Sequence, residues 1–187
     1  VKLRYGTALT DTVLMTSRDG QTFQRWNKTF LPPGPQRTGT WNYGHLYTAW
    51  GMVETAPQVK GMPNDLSIYA LESGWTGTSA QLRRYTFRID GFASVQAAMS
   101  GGELVTKPIE FAGKELVINF STSAAGSIRI EIQDVAGKPI QGFALSDCPE
   151  LFADTIERTV GWKNGTDVSS VSGKPVRLRF LLKDANL

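Results

Sequence analysis

The chain has 187 residues, 41% hydrophobic and 20% charged, with a formal net charge of +3, the composition of an ordinary soluble globular protein. Basic and acidic residues are interleaved without a polybasic run, which argues against a nucleic-acid partner, and no apolar run approaches the ~20 residues of a membrane span. The single cysteine, Cys148, excludes an intrachain disulfide and a cysteine zinc cage.

Nineteen glycines and nine prolines among many Val, Thr, Phe and Tyr favour β-structure with frequent turns. The first element in chain order is a hairpin over Asp11 to Trp26. Val13, Met15 and Ser17 alternate with Leu14 and Thr16, Asp19-Gly20 is a two-residue turn signal, and Phe23 and Trp26 lie on the return strand. The proline-rich "LPPGPQRTG" is a loop. It leads into "TWNYGHLYTAW" (40–50), which holds two of the five Trp, two of the five Tyr and the only His. After the loop "APQVKGMPND", "DLSIYALESGW" reads as a strand, with Leu66, Ile68 and Ala70 against Ser67, Tyr69 and Leu71. "AQLRRYTFRIDGFASVQAA" reads as another, turning at Asp90-Gly91 and resuming over Phe92 to Val95.

From Gly101 the glycines punctuate regular strand candidates: "GELVTKPIEF", "KELVINFSTS", "GSIRIEIQDVAGKPIQGF", "TIERTVGW" and "KPVRLRFLLKDA". Ile128, Ile130 and Ile132 alternate with Arg129, Glu131 and Gln133, and Val176, Leu178 and Phe180 with Arg177 and Arg179. That is the pattern of half-buried antiparallel strands. "SDCPELFADTI" reads as one short helical turn, and no segment fits a helix longer than about three turns. The expected fold is all-β. An aromatic-rich antiparallel region spans 1–95 and an antiparallel β-sandwich spans 96–187. The start at Val1 rather than Met, and the end just after a strand, read as a piece of a longer protein.

Two sets of residues carry candidate chemistry. Trp41, Tyr43, His45 and Tyr47 share one parity, which on a strand places them on one face, with Leu46, Thr48 and Trp50 on the other. Such rings stack on sugar C–H faces and hydrogen-bond at their edges. The alternative is that these rings fill a core or an interface, as aromatics usually do, and Gly44 is a bulge site that breaks the parity. The second set is the carboxylates. Glycoside hydrolysis needs two, about 5–10 Å apart. Glu54, Asp65 and Glu72 are the candidates near the aromatic run, and Glu72, following a strand and preceding Trp75, suits a catalytic rim position. Asp19 and Asp90 read as turn residues. The arginines of "QLRRYTFR" suit an anionic sugar or, alternatively, a solvated strand face. Cys148 reads as a buried inert thiol, with a Cys148–His45 nucleophile pair as the alternative. One His cannot build a metal site. A structural calcium held by Asp and backbone oxygens has no spacing signature and stays open; no other cofactor is expected.

"SRDGQTF" (Ser17 to Phe23) resembles the Asp-box turn of sialidase-like propeller blades, one residue shorter between Asp and Gly and ending in Phe. In such a turn the Asp caps backbone amides and the aromatic packs below. The order "RDGQTFQRW", "PGPQRTGTWNYGHLYTAWGMVET", "DLSIYALESGW", "LRRYTFRIDGFASVQA", "GSIRIEIQDVAGKPIQGFALSDC" and the segments after it is similar to the C-terminal half of bacterial glycosyl-hydrolase-like proteins. Those join a five-bladed β-propeller of the family 32/43 glycosidase or sialidase type to a C-terminal β-sandwich. The resemblance implies a propeller-blade-like region at 1–95 and a carbohydrate ligand. It also implies partner blades N-terminal to this chain and a secreted or periplasmic bacterial location. The earlier blades carry most of the active-site carboxylates in such proteins, so this portion alone is expected to be inactive. Three functions follow as expectations: the C-terminal part of a propeller-type glycoside hydrolase, a non-catalytic carbohydrate-binding module, or a structural or interaction domain.

Overall fold

A computed structural model describes residues 8–37, 41, 46–74 and 80–187. The fold is all-β, and none of the described sheets closes into a barrel. The chain divides into two compact units, Val1–Ile89 and Asp90–Leu187. The expected division after residue 95 falls inside the second unit, where Val95 exchanges backbone hydrogen bonds with Leu187 at 2.8 and 2.9 Å.

In the N-terminal unit, β1 (Thr12–Ser17) and β2 (Phe23–Leu31) form an antiparallel hairpin. Ser17 pairs with Phe23, so the connection is a five-residue loop rather than the expected two-residue turn. The reason is a side chain. Asp19 Oδ1 accepts from the Ser17 hydroxyl at 2.9 Å and from the amides of Gln21 and Thr22 at 2.9 and 2.7 Å, while the Ser17 hydroxyl accepts from the Gly20 amide. The Thr22 and Gln21 amides and the Ser17 hydroxyl hold the Asp19 carboxyl far below the usual carboxylate range. Phe23 does not pack below this turn: it is more than half exposed.

The rest of the unit is a second antiparallel sheet. β3 (Tyr47–Thr48) and β4 (Val53–Thr55) pair with the same edge of β5 (Asp65–Glu72), and β6 (Gln81–Arg88) pairs with its other edge over all eight residues. β3 and β4 are therefore one edge strand interrupted by a bulge at 49–52, where four residues face Ile68 and Tyr69. Gly51 supplies the positive φ, +82°, that such an insertion needs. The buried cluster beneath is small: Leu31, Leu46 and Ala70, with Phe30 and Tyr85 against it.

The C-terminal unit holds one antiparallel sheet built from β7 (Gln96–Ala97), β8 (Gly102–Val105), β9 (Val117–Gln133), β10 (Asp154–Thr159) and β11 (Arg177–Asn186). β11 lies between β9 on one side and β7 and β8 on the other, and β10 lies outside β9. β9 corrects an expectation. Two strand candidates separated at Gly126 are one strand of 17 residues. Gly126 is not a terminator; it is where β9 passes so close to the main chain of β11 that a Cβ does not fit. Both halves of β9 feed one core, through Ile118 and Phe120 before Gly126 and Ile128, Ile130 and Ile132 after it. That single sandwich-like core is far larger than the N-terminal one.

Two other expectations fail locally. Phe92 to Val95 does not form a return strand, because the chain leaves β6 through Asp90 at φ +55° and joins the C-terminal unit. Residues 146–156 contain turns but no helix; a 3-10 turn occurs instead at Ser169–Val171.

Cys148 has a structural task. Its Sγ accepts from the Ile130 amide at 3.3 Å, and the Trp162 indole N–H donates to the Ile130 carbonyl at 3.0 Å. Two side chains thereby satisfy a buried stretch of β9 backbone. Burial pushes the thiol's pKa up, overriding the opposing Ile130 hydrogen bond and Arg129 charge. Cys148→Ala strands the Ile130 N–H, and a loss of about 1–3 kcal/mol is expected. The denaturant midpoint reads it, and an unmoved midpoint would show that the thiol contributes nothing there.

Candidate functional site

Register determines which side chains meet on the β5–β6 pair. Leu66, Ile68, Ala70 and Glu72 share one face of β5, and Phe87, Tyr85, Arg83 and Gln81 stand directly opposite on β6. Glu72 therefore continues the inward face. It is the last residue of β5 and 4% exposed, not a rim carboxylate beyond the strand. Both its oxygens are engaged. Gln81 Nε2 donates to Oε2 at 3.0 Å, Arg83 Nε lies 2.9 Å from Oε1, and the Tyr85 hydroxyl donates a short bond to Oε1. Desolvation, reinforced by the hydrogen bond to Glu72 and its charge, pushes the Tyr85 phenol up to about 12. A carboxylate with donors on both oxygens is an anchor for the end of a strand pair.

The other candidate carboxylates do not approach it. Glu54 pairs with Leu66 and Asp65 with Arg88, six and seven residues back along β5, about 20 Å at ~3.3 Å per residue. Glycoside hydrolysis needs about 5–10 Å. Glu54 is itself taken by the Asn64 amide at 2.7 Å. The segments outside the described residues contain no Asp or Glu to complete a pair.

The aromatic run does not lie along one strand. Trp41 is at φ +55°, half-buried, with its indole N–H donating to the Gly34 carbonyl at 3.0 Å. Leu46 is at φ +62° and buried in the core. Of the described residues of the run, only Tyr47 and Thr48 are in a strand, so parity counted across 41–47 does not place Trp41 and Tyr47 on a common face. Tyr43 and His45 lie outside the described residues.

Tyr47 is 45% exposed on the outer face of the sheet, in a row with Leu71 and Leu82 across β3, β5 and β6. The next row on that face holds Tyr69 opposite Arg84. On the same edge strand, Trp50 stands on the bulge and is fully exposed. Alternation cannot be carried to Trp50, because it assumes an unbroken strand and the register is interrupted at 49–52. Trp50-Gly51 was the available signal, since a glycine inside a strand pattern marks a bulge.

Cys148 is buried and bonded to backbone, and His45, its partner in the alternative nucleophile pair, lies outside the described residues. Among the described residues no group of three or more His, Cys, Asp or Glu is placed to hold a metal ion. No helix among them is long and apolar enough to cross a membrane.

No family model, curated protein or solved structure matches the chain.

Proposed function

We propose that this chain is a non-catalytic, carbohydrate-binding portion of a carbohydrate-active protein, the larger protein being a propeller-type glycoside hydrolase. The observation that carries the reading is Trp50, a fully exposed indole on an edge-strand bulge, with half-exposed Tyr47 three residues before it. A tryptophan in full contact with water offers its whole apolar face to a partner. A sugar ring matches that face in size, and pyranose hydroxyls at the rim find the Tyr47 phenol. The tied-off Glu72 and the distance to Glu54 and Asp65 support binding rather than turnover.

A second reading, a face against which further propeller blades pack, is favoured by exposed Leu71 and Leu82.

Affinity electrophoresis of the chain and Trp50→Ala through gels holding plant, algal and host polysaccharides tests the first reading. Retardation by one polysaccharide is expected, weakened roughly 10- to 100-fold in the variant, as for a central aromatic contact. Trp50 is fully exposed, so its removal leaves folding intact. Absence of retardation in every gel, with concentration-dependent self-association of the chain, would replace the first reading with the second.

A further inference from the structure

The outer face of the β5–β6 pair carries one cation without a counter-charge. Arg84 is exposed, stands opposite Tyr69, and makes no ion pair with any described residue. The contrast with its neighbour is direct: Arg83, on the other face, is neutralised by Glu72 at 2.9 Å. Along the outer face the nearest carboxylate on β5 is Asp65, which stands opposite Arg88. Four residues separate that row from Arg84, about 13 Å at the usual strand rise and beyond a Debye length of about 8–10 Å in physiological salt. The segments outside the described residues contain no acidic residue. Arg84 is thus an unneutralised guanidinium one row from Tyr47, Leu71 and Leu82.

We infer that the polysaccharide this face takes is acidic, with a carboxylate or sulfate group seated on Arg84 while a neighbouring ring lies over the Tyr47 row. The inference rests on the carbohydrate-binding reading above and adds its charge class. Adjacent rows on one strand face are about 7 Å apart and neighbouring strands about 4.8 Å apart; Arg84 on β6 is one row along and two strands across from Tyr47 on β3, about 12 Å, so a ring on Tyr47 reaches Arg84 through a neighbouring sugar that crosses Leu71 and Leu82. A guanidinium suits this because it binds a carboxylate or sulfate through two parallel N–H donors. Carboxylate and sulfate present the same chemistry here, and the experiment separates them.

The test uses the whole chain and matched polysaccharide pairs in affinity gels: polygalacturonate against its carboxyl-reduced form, and a sulfated galactan against its desulfated form. Tighter binding to one acidic member than to its neutral partner is expected, and which pair shows it identifies the anion. Arg84→Gln is expected to weaken that binding about tenfold or more, the value of a charge-assisted contact, and Arg84→Lys to restore part of it. Equal binding of acidic and neutral members, unmoved by Arg84→Gln, would overturn the acidic class and leave the carbohydrate reading standing. Equal retardation by single-stranded RNA would overturn it too, by showing unselective polyanion binding. Absence of binding to any polysaccharide would overturn both.

Discussion

Gly126→Ala is expected to unfold the C-terminal unit, or to leave it at least about 3 kcal/mol less stable. A Cβ at Gly126 meets the Asp184 carbonyl oxygen far inside van der Waals contact and lies 2.7 Å from the Lys183 carbonyl oxygen. Both atoms belong to the main chain of β11 and cannot rotate away as a side chain would. Two features converge on the crossing. β9 has four residues, 123–126, opposite the single residue Asp184, and Asp184 is itself at φ +41°. Relief of the clash requires β11 to separate from β9, and that pair carries the core through Ile128 opposite Leu182 and Ile130 opposite Phe180. Gly161→Ala is the control, because its Cβ meets only the Thr166 methyl at 3.4 Å and the Gly165 carbonyl oxygen at 3.8 Å. Denaturant unfolding of the two variants reads the difference, and a Gly126→Ala protein with the parental midpoint would contradict the close crossing.

The second large effect concerns Glu72, where anchoring and catalysis predict different things. As an anchor, Glu72→Gln removes the charge facing Arg83 and replaces one acceptor oxygen with a donor. A loss of about 2–4 kcal/mol from the N-terminal unit is expected, severe for a unit whose buried cluster is Leu31, Leu46 and Ala70. The Tyr85 phenol should also return from about 12 towards the ordinary tyrosine value near 10. Its folded-state pKa lies above that of the unfolded chain, so it stabilises the fold fully below about pH 10 and loses that effect as the pH rises through about 12. The unit should therefore weaken over that interval in the parent and less so in Glu72→Gln. Ultraviolet titration of phenolate absorbance, with Tyr85→Phe to identify the signal, measures this. If Glu72 is instead a catalytic acid or base, Glu72→Gln keeps its fold while abolishing glycoside hydrolysis measurable in the parent chain.

The strands of the C-terminal unit were largely legible in the sequence because alternation is unbroken over 128–133 and 177–182. Ile128, Ile130 and Ile132 point inward in β9 and Phe180 and Leu182 in β11, as a half-buried strand requires. β5 and β6 were legible for the same reason. Continuity through Gly126 was not, because a glycine reads as punctuation until a second strand is known to press against it. In the aromatic run alternation misled. Positive φ at Trp41 and Leu46 and the bulge at 49–52 restart the parity, and nothing in the one-dimensional pattern records a restart. Glu72 stands out in the sequence for its place after a strand and before Trp75. What ties its two oxygens is nine to thirteen residues away, in Gln81 and Tyr85, and meets it only through the β5–β6 register.

The sequence by itself determined the all-β class, the position of most strands and the exclusion of an intrachain disulfide, since these depend on residue type and on a period of two along the chain. Only the tertiary structure decided which side chains are available. Burial is decided by what lies across a strand, so Glu72 went in among its donors, Cys148 became a backbone partner, and Trp50 and Arg84 were left facing water. The sequence shows the spacing along a strand; the face exposed at each position depends on bulges and register, which long-range pairing alone sets.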